Sequence, residues 1–166
     1  MEKKDVITTW FYEFSDDLYH YFLYRVGIAE AEDLVQEVFI RAMNGFEGYK
    51  EEASPKTWLY TIGRNVATDA IKKKQKFPFS FLHKEVETPS QSLEEDFLIY
   101  EEKITIYRAI QTLKPSYRDV VILRGIKEIS VQETATILGW TENKVRSTYY
   151  RAKLSLQTKL GGEFNE

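Results

Sequence analysis

Residues 130–159 read SVQETATILGWTENKVRSTYYRAKLSLQTK, and this segment carries the strongest structural signals in the C-terminal half of the chain. Ser130 and Glu133 form a capping box, in which the Ser130 hydroxyl accepts from the Glu133 N–H and marks the start of a helix. Gly139 can take the left-handed conformation that ends a helix, and Thr141 can cap the next one. The segment therefore predicts a helix-turn-helix, with helices over residues 131–138 and about 142–159.

The second of these helices has an apolar side and a cationic side. Val145, Ala152 and Leu156 have the spacing of buried residues, whereas the adjacent Tyr149 and Tyr150 leave open which ring faces outward. A cationic helix after a glycine turn is typical of a recognition helix in the DNA major groove. The alternative is a helical hairpin with a solvated basic face. The side chains predicted to contact DNA are Lys144, Arg146, Ser147, Tyr150 and Arg151.

Residues 57–76, TWLYTIGRNVATDAIKKKQK, predict another helix with two unlike faces. A buried stripe backed by cationic and amide side chains suits a helix that meets a phosphate backbone. The alternative is an ordinary solvated helix, because cations stabilise helix C-termini. Trp58 lies on the apolar stripe, so we expect it in the core rather than as a stacking platform. The stripe holds Trp58, Leu59, Ile62, Val66 and Ala70, and the polar side holds Thr61, Arg64, Asn65, Thr68 and Lys72.

Two further helices are predicted upstream of this segment. Residues 6–26 keep a helical period, although the polar residues 15–17 leave open a division into two helices. A helix over about residues 29–43 has a close-packed apolar stripe, and residues 45–56 form a loop with two glycines and a proline. The outward face of the 29–43 helix shows Glu30, Asp33, Gln36, Glu37 and Arg41.

The predicted architecture is all-α, with two small helical domains joined by a flexible linker. The domains span residues 1–76 and 101–166, and the C-terminal one is the helix-turn-helix. Residues 77–100 form the linker, because they contain two prolines, the run TPSQS and an acidic excess. A helix from Glu101 ends before Pro115.

The charge distribution is more informative than the net charge of −3. Residues 57–76 hold five Lys or Arg against one Asp, whereas residues 1–56 hold six cations against twelve acids. Two separated basic zones on an acidic chain predict localised nucleic-acid contacts and an acidic surface for another partner. No apolar run is long enough for a membrane span, no signal peptide is recognisable, and there is no cysteine, so we expect a cytoplasmic protein.

With both halves considered, the chain resembles a bacterial sigma factor of the extracytoplasmic-function group, the minimal two-domain kind. The resemblance covers roughly residues 5–160 and spares only the linker. In the N-terminal half it rests on residues 31–39 (AEDLVQEVF) and 57–62 (TWLYTI), with Arg64, Asn65 and Asp69. In the C-terminal half it rests on Tyr117, Arg118, Leu123, Arg124, Ser130, Gln132, Glu133, Ala135, Leu138, Gly139, Val145, Arg146, Ser147, Arg151, Ala152 and Leu154.

The resemblance implies a transcription initiation factor that binds core RNA polymerase and directs it to promoter DNA. The family docks its second helix on the polymerase clamp, which assigns that role to Asp33, Gln36 and Glu37. The helix-turn-helix would read the −35 element with the five side chains given above. Family members are commonly held inactive by an anti-sigma protein, often membrane-anchored. Candidates for contact with the −10 element are Tyr49 and Lys50 in the loop, with Arg64, Asn65, Lys72 and Lys73 on the following helix.

Two other function classes compete with this interpretation. A free-standing DNA-binding regulator accounts equally well for the helix-turn-helix, but it leaves the basic 57–76 helix and the acidic face unexplained. An enzyme is disfavoured, because His20 and His83 match neither a metal-ligand spacing nor a base–nucleophile pair, and no glycine-rich phosphate loop is present. We therefore expect no catalytic residue, metal, cofactor or small-molecule substrate.

Overall fold

A computed structural model describes the backbone of residues 2–76 and 94–161 and the side chains of residues 2–76 and 103–161. Every regular element in these residues is helical, as predicted. In chain order they are α1 (Lys3–Arg25), α2 (Ile28–Gly45), a 3-10 turn (Phe46–Gly48), α3 (Pro55–Lys76), α4 (Glu94–Gln111), α5 (Pro115–Val120), a π-helical turn (Val121–Ile126), α6 (Val131–Leu138) and α7 (Glu142–Lys159).

α1 is one continuous helix, so the chain is not divided into two helices at the polar residues 15–17, as the sequence allowed. Residues 15–17 lie inside it, and Leu18 and Phe22 on the following turns are fully buried. The burial of this apolar side holds the polar residues in helical conformation. The chain then turns into α2 at Gly27, whose φ of 129° is one that L side chains rarely adopt.

α2 carries the predicted apolar stripe, with Val35, Val38 and Ala42 buried. One residue differs from the prediction. Glu30, expected on the outward face, is only 8% exposed, and Lys74 Nζ lies 3.7 Å from its Oε1. The cation comes from the end of α3, so the sequence of α2 alone does not reveal that Glu30 can be buried with a partner.

The apolar side of α3 is rotated from its predicted position. Tyr60, Gly63 and Ala67 are buried, whereas Trp58 and Ile62 from the predicted stripe are only half-buried. The small residues explain the difference. A Cβ atom added at Gly63 would lie 3.4 Å from the side chain of Leu18 and 3.8 Å from that of Val38. Gly63 therefore lets α1 and α2 approach α3 closely.

The first helix of the C-terminal half begins earlier than predicted. α4 starts at Glu94, so residues 94–100 of the predicted linker are helical, whereas residues 77–93 lie outside the described residues. α4 ends at Gln111, before Pro115, which opens α5 as a first helical residue. The expected end of this helix is thus confirmed, and its expected start at residue 101 is wrong.

The helix-turn-helix follows the sequence prediction closely. The Glu133 N–H donates to Ser130 Oγ over 3.0 Å, and Gly139 is left-handed, with φ 69° and ψ 33°. The Lys144 N–H donates to Thr141 Oγ1 over 3.1 Å and caps α7. Because each signal acts within a few residues, the sequence alone is enough to predict where α6 and α7 begin and end.

The two domains are in contact. α3 packs against α6 of the second domain, and α1 packs against α4 and the π-helical turn. The buried apolar side chains of both domains form one continuous cluster. The sequence analysis did not anticipate this contact either.

Candidate nucleic-acid interface

The five side chains predicted to read the −35 element lie together on the solvent side of α7. All five are exposed, and with Asn143 they line one shallow surface concavity. Val145, Thr148 and Ala152 are buried on the other side, so packing fixes the rotation of the helix. The exposed set is Lys144, Arg146, Ser147, Tyr150 and Arg151.

The structure shows which of the two adjacent tyrosines faces outward. Tyr150 is 63% exposed, whereas Tyr149 is half-buried and has two cations near its ring. Arg124 Cζ lies 5.4 Å from the Tyr149 ring centroid and Lys153 Nζ lies 4.6 Å from it, which are cation–π distances. A Cβ atom at Gly125 would approach the Tyr149 hydroxyl to 3.3 Å, so the glycine leaves room for this ring.

The cations at the start of α7 are held by weak local contacts. Lys144 Nζ lies 4.4 Å above the Trp140 ring, and Arg146 Nη1 donates to Asn143 Oδ1 over 3.3 Å. Arg146 Nη2 is also 3.9 Å from a Glu142 carboxylate oxygen. Exposed pairs of this kind contribute little free energy, so a DNA phosphate or base can displace them.

The predicted DNA-contacting residues of α3 divide into two groups. Asn65, Lys72 and Lys73 are exposed. Arg64 is half-buried instead, and its Nε lies 4.0 Å from Asp119 Oδ2 in the second domain, too far for a hydrogen bond. The structure therefore brings Arg64 to the domain contact rather than to the open surface of the other three.

The loop before α3 presents an aromatic cluster. The Tyr49 ring stacks on Trp58 at 4.8 Å and 26°, and its hydroxyl donates to the Ala53 carbonyl over 2.7 Å. Burial, followed by the charge of Glu51, raises the pKa of the Tyr49 hydroxyl. Lys50 beside it is exposed. Trp58 is half-buried in this cluster, so it belongs to the edge of the core and also supports the Tyr49 ring.

The predicted polymerase-binding face lies on α2. Asp33 and Gln36 are exposed, and Glu37 is half-buried. Arg41 donates to Glu37 over 3.1 Å and to Asp69 of α3 over 3.1 Å. The hydrogen bond to Glu37, together with that to Asp69, raises the pKa of Arg41 despite its partial burial. The arginine therefore ties one side of the acidic face to α3.

A buried ion pair between the domains was missed by the sequence analysis. Arg25 Nε donates to Asp119 Oδ1 over 2.5 Å, and the two residues are 5% and 3% exposed. They are 94 positions apart in the chain. The available signal was an aspartate directly before the apolar run of residues 120–123, but nothing local identifies its partner.

Two negative findings apply to the described parts of the chain. Residues 2–76 and 94–161 contain no group of three His, Cys, Asp or Glu side chains that could hold a metal ion. Within the same ranges, no helix has the length and apolar character needed to cross a bilayer.

Comparison with known proteins identifies the two halves separately. The family description Sigma-70 region 2 matches residues 11–77, and Sigma-70, region 4 matches residues 103–156. The ECF RNA polymerase sigma factor SigX of Bacillus subtilis is 35% identical over 146 residues, which cover 83% of this chain and 75% of SigX. The chain belongs to the extracytoplasmic-function (ECF) group of sigma-70 factors.

Two further similarities extend along nearly the whole chain, one in sequence and one in fold. The RNA polymerase sigma factor YlaC of Bacillus subtilis is 29% identical over 164 residues, or 96% of this chain and 95% of YlaC. The solved structure of the sigma factor RpoE in complex with the anti-sigma factor NepR from Bartonella quintana has the same fold. Its TM-score is 0.72 at 21% identity, and the match covers 94% of this chain and 97% of RpoE.

As an ECF sigma factor, the protein binds core RNA polymerase and promoter DNA and directs the polymerase to promoters through regions 2 and 4. It is a transcription initiation factor and not an enzyme. Family membership therefore favours the sigma factor over the free-standing regulator. Which side chains touch promoter or polymerase stays a prediction.

Proposed function

We propose that α7 of region 4 reads the −35 promoter element from the major groove. The observation that carries the proposal is the shared exposed face of Lys144, Arg146, Ser147, Tyr150 and Arg151. An arginine on such a face can bind guanine through two parallel hydrogen bonds, whereas lysine and serine can contact phosphate or base. Because the opposite side of α7 is buried, the helix enters the groove in one orientation.

The −10 element is assigned to α3 and the loop before it. Asn65, Lys72 and Lys73 offer an amide and two cations to the phosphate backbone, and Arg64 lies on the same helix. The aromatic cluster that contains Tyr49 lies next to the exposed Lys50, a combination that suits an unstacked base beside a cationic track.

The acidic face of α2 is assigned to core polymerase. Asp33 and Gln36 are exposed there, and the Glu37 carboxylate is positioned by Arg41. Opposite charge on a partner would steer the encounter and set its orientation. We also propose a cytoplasmic location, since the polymerase works there, and an anti-sigma protein as a regulatory partner. The RpoE complex with NepR supports this second partner by analogy.

Run-off transcription with bacterial core polymerase on a library of genomic promoters tests the proposal. The chain should produce promoter-specific transcripts, and Asp33→Ala with Gln36→Ala should weaken its binding to core polymerase. Glu13→Ala, an exposed carboxylate on α1, is the control and should bind normally. Tight operator binding without any affinity for polymerase would contradict the proposal.

The −10 assignment predicts a salt-dependent effect at the end of α3. Replacing Lys72 and Lys73 with alanine should weaken promoter binding equally across sequences and lower the slope of log affinity against log salt by up to about 1.8, since each phosphate contact contributes about 0.9. Lys4→Ala with Lys103→Ala removes two exposed lysines elsewhere and should leave the slope unchanged. An unchanged slope in the first variant would exclude phosphate contact there.

A further inference from the structure

Asp119 of region 4 lies between two arginines of region 2. Its Oδ1 accepts from Arg25 Nε over 2.5 Å, and its Oδ2 is 4.0 Å from Arg64 Nε. We call these three residues the interdomain cluster. Asp119 and Arg25 are almost completely buried, while the Arg64 side chain is 32% exposed. One carboxylate of the second domain thus neutralises two cations of the first.

Two polar contacts flank the interdomain cluster. Lys127 Nζ of region 4 lies 2.9 Å from Asp17 Oδ1 of region 2, and Gln111 Nε2 donates to the Tyr24 carbonyl. Both join the same pair of domains. The domains are therefore joined by defined polar contacts as well as by apolar packing.

The contact reaches the polar face of α3 at Arg64, and two threonines of that face are half-buried as well. Thr61, Arg64 and Thr68 are half-buried, although their polar character predicted an exposed face, and α3 packs against α6. The Thr61 and Thr68 hydroxyls donate to carbonyls of their own helix, over 2.9 Å in each case. These hydroxyls keep their hydrogen bonds if α6 moves away. The face can thus be uncovered without leaving a polar group unpaired.

We propose that Asp119 holds the free sigma factor in a closed form, in which its carboxylate takes the place of a DNA phosphate at Arg64. The proposal rests on the assignment of Arg64 to promoter contact made above. In the open form the domains separate, Asp119 and Arg25 become hydrated, and Arg64 is available to DNA. A buried ion pair offsets much of its attraction by desolvation, so the closed form can be displaced by polymerase and promoter.

The two promoter-binding surfaces differ under this proposal. The cationic face of α7 stays exposed in the closed form, whereas Arg64 on α3 is half-buried against Asp119. If the open form is about a tenth of the free protein, abolishing closure raises the apparent affinity of region 2 for −10 DNA about tenfold.

Fluorescence energy transfer measures closure directly. The chain has no cysteine, so Glu13→Cys and Gln157→Cys, both at exposed positions, allow labelling of one site in each domain. Wild-type protein should show high transfer that falls when core polymerase binds. Asp119→Ala should show low transfer before polymerase is added, with unchanged helical circular dichroism. High transfer in Asp119→Ala would overturn the proposal.

A second variant guards against misfolding of Asp119→Ala. Lys127→Ala removes a contact at the edge of the interface and leaves Asp17, whose side chain is 41% exposed, in solvent. It should lower the transfer in the same direction by a smaller amount, and Lys103→Ala, an exposed lysine of region 4, should not change it. Wild-type transfer in Lys127→Ala would count against the proposal.

DNA binding separates this proposal from the function assigned above. Free Asp119→Ala should bind −10 DNA several-fold more tightly than wild type, and Arg64→Ala in the same background should cancel the gain. If the domains separate in Asp119→Ala but its affinity for −10 DNA does not rise, then Arg64 is not masked in the closed form. If holoenzyme carrying Arg64→Ala still loses promoter use, the promoter role of Arg64 stands. If promoter use by this holoenzyme is unchanged, Arg64 has no promoter role, and the proposed masking of Arg64 is wrong as well.

Discussion

The exposed face of α7 and the polar face of α3 differ in accessibility, although both are cationic and both are assigned to DNA. On α7 the five predicted side chains are open to solvent, and their neighbours hold them only weakly. On α3 the lysines are open, but Arg64 lies against Asp119 of the other domain. The comparison indicates that the α7 face is accessible while the domains are in contact, whereas the accessibility of Arg64 depends on the domain arrangement.

The difference arises from how each surface is built. α7 is positioned by local signals, namely the Thr141 cap and the left-handed Gly139, and by burial of its own apolar side. The accessibility of α3 is decided by contacts between residues far apart in the chain, such as Arg25 and Asp119. The exposure of α7 therefore does not depend on the domain contact, whereas that of Arg64 does.

The largest effect is expected from a cavity in region 2, which tests whether the domains are separate units. Leu59 is fully buried in α3, and Leu59→Ala should lower the free energy of unfolding of region 2 by about 2–5 kcal/mol. Hydrogen exchange measured by mass spectrometry should show faster exchange in α1–α3, with little change in α7. Ile40→Ala, at a 55% exposed position, is the control. An equal loss of exchange protection in both domains would show that they unfold as one cooperative unit, which would contradict the distinction between the two surfaces.

A smaller effect is expected from the open DNA-binding face. Arg146→Ala should weaken promoter binding by about 1–3 kcal/mol, and the loss should depend on the −35 sequence, because a base contact is removed. Binding of holoenzyme to a panel of −35 variants measures it. Arg108→Ala removes an exposed arginine from α4 and should not discriminate among the variants. A uniform loss for Arg146→Ala would reduce its role to phosphate contact.

The sequence predicts the parts of this molecule that are determined locally. The bounds of α6 and α7, both caps and the exposed set on α7 are confirmed, because each depends on residues within one or two turns. The burial of Glu30 and the pairing of Arg25 with Asp119 were missed, since their partners lie on distant elements. The rotation of α3 was missed because small residues such as Gly63 carry no hydrophobic signal.

A third prediction tests whether the geometry of α7 is set by its cap. Thr141→Ala removes the acceptor of the Lys144 N–H and should lower the free energy of unfolding of region 4 by about 1 kcal/mol. Thr136→Ala is the matched control, because Thr136 is exposed within α6 and donates only to its own helix, so its effect should stay within about 0.5 kcal/mol. Chemical denaturation, followed by hydrogen exchange in region 4 or by tryptophan fluorescence, gives both values. Equal effects would show that tertiary packing, and not the cap, positions the helix.

The smallest expected effect is the pH dependence of the closed form. Burial raises the pKa of Asp17, but the hydrogen bond from Lys127 and the charges of Lys127, Lys56 and His20 outweigh it, so the pKa is lowered. The contribution of the Asp17 pair is therefore fully present above the ordinary aspartate value of about 3.9 and is lost as the pH falls through the lowered pKa.

At neutral pH, Asp17→Asn should weaken closure by about 0–1 kcal/mol, the usual range for a partly exposed ion pair. Energy transfer in the labelled chain measures this, and the difference between Asp17→Asn and wild type should vanish as the solution is acidified. Subtracting the two curves removes the pH-dependent contributions that the two proteins share. A difference that persists below the lowered pKa would mean that Asp17 acts through its shape and not its charge. Closure would then depend on Asp119 and apolar packing alone, with α7 still open.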